Sequence, residues 1–274
     1  MRLLIWYVPI VMFWFNQMRG SPFGVDERDT ARNDNLLNMP RERARTMGET
    51  VLPLVEPDLV GVWRKNVWWF GFRWPFSMVL FSWVTVASTL APEFHLDRYL
   101  LTMLAGFFGL VIGAHYIDIT ASKDKYLPYF PKMNRGAIRT VGVLAVLAGM
   151  AVGVYMSLLY SLWFLVFVIL GGFFALFYPI EKPKWLHTYP GFGIAWGFMP
   201  VLASYYIQGT RIDLLGLGLA VFLGITVVEM HHMAVLTNEK EYGADLTKNA
   251  RMLLKIHRIA AYSIGLILLI SRLI

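Results

Sequence analysis

Cysteine is absent from this 274-residue chain. That excludes a disulfide framework, a thiolate metal site and a cysteine nucleophile. Charge is scarce as well: Asp, Glu, Lys and Arg make up 16% of the residues against 57% hydrophobic, with a mean hydropathy of +0.53. So little charge excludes an ordinary water-soluble surface, and the length divides better into apolar spans of about 20 residues. Acidic residues are the rarer sign, 18 against 25 basic, for a net charge of +7. In a soluble chain that excess would point to nucleic acid. Here, basic loops set orientation and meet anionic headgroups or phosphorylated substrates, so the expected partners are membrane lipids and no nucleic acid.

A first apolar run, Leu3 to Phe15, is too short to cross a bilayer and no small-residue cleavage site follows it. It reads as an interfacial anchor, with an uncleaved signal as the alternative. A polar stretch from Gln17 to Thr50, broken by Gly20, Pro22 and Pro40, reads as a linker, so 1–59 is set apart from a membrane domain over 60–274. Trp63, Trp68 and Trp69 alternate with Arg64, Lys65 and Arg73, a pattern suited to the headgroup level. Seven apolar segments follow, at Trp74–Leu90, Tyr99–Ile117, Thr140–Met156, Leu159–Pro179, Gly191–Ile207, Leu214–Leu236 and Ile259–Leu273. The fold class expected is an all-α polytopic transmembrane helix bundle. Basic residues crowd alternate connections, which places the 118–139, 181–190 and 238–258 loops in the cytoplasm.

Two polar clusters share that side. After the second span come His115, Asp118, Lys123, Asp124, Lys125, Asn134 and Arg135; after the sixth come Asn238, Glu241, Asp245, Lys248 and Arg251. Spacings of three and four put Asn238, Glu241 and Asp245 on one helical face, whereas Asp118 and Asp124 converge only if a helix ends between them. Carboxylates converging at a membrane helix end suit a hard cation such as Mg2+ holding a phosphate. Nearby Lys and Arg suit the oxygens of a departing diphosphate.

These residues resemble the UbiA superfamily of intramembrane prenyltransferases. The segment A-H-Y-I-D…D over 114–124 stands at the place of the family's first Asp-rich motif, and N-x-x-E-x-x-x-D over 238–245 at the place of its second. The run D-L-T-K-N-A-R-M-L, Tyr178-Pro179-x-x-Lys182 and Asn134-Arg135 are similar to further family motifs. GFMPVLASYYIQG, residues 197–209, is similar to the fifth span of the enzymes that prenylate dihydroxynaphthoate in menaquinone synthesis. The likeness covers roughly residues 64 to 274. It departs at Ala114-His115, where the family has Asn-Asp, at Asn238 and Glu241, where Asp is usual, and in its seven spans against the family's nine.

The resemblance implies transfer of a prenyl group from a prenyl diphosphate to a lipophilic, aromatic or quinone-precursor acceptor. Asp118, Asp124, Asn238, Glu241 and Asp245 would hold Mg2+, with Asp118, Asp124, Glu241 and Asp245 catalytic. Lys123, Arg135, Lys182, Lys248 and Arg251 would hold the diphosphate, and His115, Tyr178, Trp196, Tyr205 and Glu229 would line an acceptor or prenyl pocket. Each assignment has a plainer counterpart: loop carboxylates balancing bases, aromatics packing in spans, Glu229 satisfied by His232, and Gly171-Gly172 as close-packing points. The competing function is a non-catalytic relative that binds isoprenoid lipid or scaffolds a partner; the missing spans would leave the cavity open to lipid, be replaced by the amino-terminal segment, or be filled by a subunit of an oligomer.

Overall fold

The structure is a computed structural model that describes residues 67–121, 133–180, 186, 188–237 and 244–274. All of them belong to one compact unit, Thr50–Ile274. The anchor and linker, and with them Lys123, Asp124, Lys182, Asn238 and Glu241, lie outside the described residues. Every regular element among the described residues is helical. They are α1 (Val67–Gly71), α2 (Trp74–Leu90), α3 (Leu96–Ala121), α4 (Arg135–Leu159), α5 (Phe164–Phe177), α6 (189–209), α7 (Leu214–Val235) and α8 (Ala244–Leu273). Each of the seven apolar segments therefore falls on a helix, as expected where no water can satisfy the backbone.

Four helices, α3, α4, α7 and α8, are long and apolar enough to cross a membrane. Helices α2 and α5 are shorter, at 17 and 14 residues. The outer surface carries a belt of exposed large hydrophobics, among them Leu144, Leu158, Trp163, Ile169, Leu214 and Ile267. Water would penalise such a continuous apolar face, whereas lipid solvates it. The protein is thus built as an integral membrane protein.

Helix α2 is the axis of the bundle, with 12 of its 17 residues buried. Its buried hydroxyls bond largely to their own helix. Ser82 donates to Met78 O and Thr89 to Thr85 O, each at 2.8 Å. Thr85 donates to Phe81 O at 2.8 Å and meets the Tyr99 hydroxyl at 2.9 Å. Helix α8 lies along α2 in the same direction. Tyr262 donates to Pro75 O at 2.8 Å, and Arg272 donates to Thr89 O at 2.7 Å and Ala91 O at 3.0 Å, capping carbonyls at the end of α2. The stripe that α8 buries, Thr247, Ala250, Leu254, Arg258 and Ala261, steps by three and four along one face.

The contacts define two ends. At the near end α3, α5 and α7 finish and α2, α4, α6 and α8 begin; the other end is the far end. Small residues bring the rods together. A Cβ on Gly149 would stand 2.8 Å from Ala105 O, and one on Gly197 would stand 2.6 Å from the Cα of Gly224. At the far end Asp213 caps α7, accepting from Gly216 N at 2.9 Å and from the buried Tyr205 hydroxyl at 2.8 Å. The Gly216 backbone N–H, then the Tyr205 hydroxyl, hold the Asp213 carboxyl below the usual carboxylate range.

Candidate functional site

Two helices contain π-helical stretches, Phe107–Ala114 within α3 and Ile194–Phe198 within α6. Such stretches widen the helix by one residue per turn and recur at functional sites. Here both lead to one pair of side chains. His115 follows the first, Trp196 sits inside the second, and their rings stack with centroids 5.1 Å apart and planes at 15°. His115 is 1% exposed and Trp196 6%. Phe76 closes on both, at 5.9 Å from the imidazole and 5.3 Å from the indole. Tyr178 and Phe192 complete the wall, at 6.3 and 6.4 Å from Trp196.

Neither nitrogen of His115, nor Nε1 of Trp196, has a hydrogen-bond partner. The carbonyls of Val111 and Gly71 lie near the imidazole but do not meet it in hydrogen-bond geometry. Leaving such groups bare in an apolar interior costs about 1–3 kcal/mol each. The stack accordingly has unmet capacity for an acceptor.

A half-open cavity of about 140 Å³ lies between α2, α3, α4, α5 and α6, lined by none of the five residues of this stack. Its walls are almost wholly apolar. The hydroxyls of Thr102 and Ser204 are already bonded to Arg98 O and Pro200 O. Leu110 and Ala195 mark its near-end limit, and Ala195 is the chain neighbour of Trp196. Gly109 and Gly171 line it, and a Cβ on either would meet nothing within 4 Å. Gly172 is a close-packing point, against Met150, but Gly171 opens space instead.

Basic groups gather at the near end. Arg73 caps α2 with φ 44° and ψ 49°, a left-handed conformation that costs a non-glycine residue of order 1 kcal/mol. It does not lie in an interfacial stripe as expected. Its buried guanidinium pairs with Asp118 on the last segment of α3. Arg135 donates to Thr120 O at the end of α3, and Arg251 donates to Thr237 O beyond α7 at 3.4 Å. The Nε of Arg135 and that of Arg251 are buried and unpartnered.

Asp245 stands exposed in the first turn of α8, as does Lys248. Asp245 precedes Tyr262 by 17 residues on one helix, or about 25 Å of axis. Tyr262 bonds to Pro75, two residues from Arg73 and its partner Asp118. Asp118 is held by Arg73, and Asp245 stands in the exposed first turn of another helix. Among the described residues no group of three or more His, Asp or Glu could hold a metal ion. Of the five ligands the family resemblance implies for Mg2+, only Asp118 and Asp245 fall among the described residues.

Of the expected pocket residues, His115, Trp196 and Tyr178 come together. Tyr205 does not join them: it lies nine residues beyond Trp196, about 14 Å along α6, bound to Asp213. Glu229 is half-buried and shares its face of α7 with exposed Phe222, Ile225 and His232, so it faces outward. His232 does not satisfy it, its Nδ1 lying 3.3 Å from the Tyr189 hydroxyl. Sequence reading missed Arg73 as the counter-ion of Asp118 and Phe76 as a wall of the pocket. The signal available for Arg73 was a lone arginine two residues ahead of Pro75, at the head of an apolar helix. Comparison with known protein families, curated proteins and solved structures finds no match for this chain.

Proposed function

We propose that this protein is an intramembrane prenyltransferase, a seven-span bundle with its near end in the cytoplasm. It would move a prenyl group from a prenyl diphosphate to a lipophilic ring. The observation that carries this reading is the apolar cavity, whose lining residue Ala195 is the chain neighbour of Trp196 in a buried stack whose N–H donors lack partners. A hydrocarbon chain fits the cavity, and a polar ring fits the stack. The diphosphate would lie at the near end, where the free Nε–H groups of Arg135 and Arg251 can donate to its oxygens. During transfer the allylic C–O bond breaks and the diphosphate leaves with the electron pair. A ring carbon of the acceptor bonds to the allylic carbon and releases its proton to a diphosphate oxygen. The aromatic walls at Trp196, Phe76 and Tyr178 shield the allylic cation by their π faces. Mg2+, where bound, would supply further charge neutralisation on the leaving group.

The test uses full-length protein in detergent with labelled geranylgeranyl diphosphate, Mg2+ and a panel of aromatic acceptors. Gly171→Phe places a ring in the open part of the cavity and is expected to abolish transfer while the protein stays folded. Transfer that survives this change removes the cavity from the reading.

A second reading, an isoprenoid-lipid holder without catalysis, is favoured by the engagement of Asp118 with Arg73. It predicts that the wild-type protein binds the labelled lipid but releases no diphosphate, and that Gly171→Phe abolishes that binding.

A further inference from the structure

Helix α7 presents two faces. One, with Ala220, Leu223, Val227, Met230 and Ala234, is buried in the bundle. The other steps by three and four through Leu214, Gly218, Phe222, Ile225, Glu229 and His232, all exposed except the half-buried Glu229. The apolar part of this outer stripe needs no neighbour, since lipid tails solvate it as well as another helix would. Glu229 is the exception. It lies six residues, about 9 Å of axis, inside the last residue of α7, Val235. An acid within a span normally faces the bundle interior and is paired there. Glu229 faces outward, and no described residue bonds to it. His232 follows one turn later, with its Nδ1 3.3 Å from the Tyr189 hydroxyl. With that hydroxyl donating to Nδ1, the ring proton sits on Nε2, a donor left for a partner.

The placement of the two side chains selects that partner. Glu229 and His232 stand about 60° apart around the helix and about 4.5 Å apart along it. The line from Gly218 to Ile225 passes between them, so they flank it on opposite sides. Consider a second α7 packed parallel along that line and related by a two-fold axis normal to the membrane. The second copy's His232 then falls on the same side of the seam as the first copy's Glu229, and the reciprocal pair forms on the other side. The two carboxyl groups stay on opposite sides. One face thus carries both halves of its own complement, which is what an isologous contact requires. At Gly218 a Cβ would meet nothing within 4 Å, and its absence lets two backbones approach. A Lys or Arg from an unrelated helix would satisfy Glu229 and leave His232 unused.

We infer that this protein pairs with a second copy of itself along the outer face of α7, Glu229 of each copy accepting a hydrogen bond from His232 of the other. The inference is independent of the proposed transfer, because neither residue lines the cavity and the contact involves no diphosphate.

The lack of native cysteine allows the contact to be mapped directly. Ile225→Cys places one thiol on the seam, and Ile267→Cys places one on the exposed face of α8. In full-length protein in phosphatidylcholine vesicles, mild oxidation should join two copies through the first thiol and not through the second. Energy transfer between labelled copies, followed as the protein is diluted with lipid, gives the dissociation constant. Glu229→Leu and His232→Leu should each raise it about tenfold or more, since either change removes both interhelical bonds. An equimolar mixture of the two variants should pair more tightly than either alone, because one Glu229–His232 bond re-forms between unlike copies. A wild-type protein that stays monomeric, or thiols that join equally well from both helices, would overturn the inference and leave Glu229 to a lipid ammonium group or a different protein. So would a mixture no tighter than its components. Should a leucine variant fail to fold, the comparison of the two thiols still decides.

Discussion

The ion pair between Arg73 and Asp118 decides whether Asp118 is free to act on a substrate or is fixed as a counter-ion. The guanidinium side chain is 7% exposed and the carboxylate 21%. Removing one member of a pair this buried strands the other, a loss of about 3–5 kcal/mol. The fifth of Asp118 left in contact with solvent argues for the lower end, about 3 kcal/mol for Arg73→Met or Asp118→Leu. The double variant removes both charges and fills the space with methyl groups, so it should lie within about 1 kcal/mol of wild type. Unfolding by SDS titration of the four proteins in mixed micelles gives the coupling energy, expected at about 5 kcal/mol. If the two single losses simply add, within about 0.5 kcal/mol, the pair is not what holds the start of α2 to the end of α3 and the reasoning fails. The double variant also bears on chemistry. Donor cleavage that persists in it removes Asp118 from any metal-binding role.

Two further outcomes follow from the packing and the far-end cap. Gly197→Ala drives a methyl group to 2.6 Å from the Gly224 Cα, so α6 and α7 must part. The expected loss is about 1–3 kcal/mol in the same SDS titration, and a neutral result would mean the helices are not in that contact. The lowered carboxyl of Asp213 contributes stability that is complete near neutrality. It should be lost as the pH falls through the lowered value, below about pH 4. Asp213→Asn should flatten that acid limb of thermal stability, Tyr205→Phe should flatten it in part, and an unchanged limb in both would refute the assignment.

The helices were legible because apolar runs in lipid have few alternatives to helix, but their ends were not. The last apolar segment was placed at Ile259–Leu273, and the helix that carries it, α8, begins at Ala244, with a first half rich in Lys, Arg and Asn that buries only a narrow stripe. Helix α4 starts at Arg135 rather than Thr140, because the Asn134 side chain accepts from Ala137 N at 3.0 Å and caps it. The candidate site was legible residue by residue and not as an assembly. His115 and Trp196 are 81 positions apart and Arg73 and Asp118 are 45, pairings that only tertiary packing makes. The π-helical stretches carry no signal in hydropathy at all, for an extra residue in a turn leaves the composition untouched.

The self-contained hydroxyls of α2 have a mechanical corollary. Within its 17 residues, the side chain of Thr85 alone, among the described residues, forms a polar link to a cavity-lining helix, while Tyr262 and Arg272 rivet α2 to α8 on its other flank. The two rods can swing as a single leaf. Parting that leaf from α3 to admit a bulky lipid sacrifices dispersion, the Thr85–Tyr99 link and the Arg73–Asp118 pair, and leaves the bonds between α2 and α8 whole.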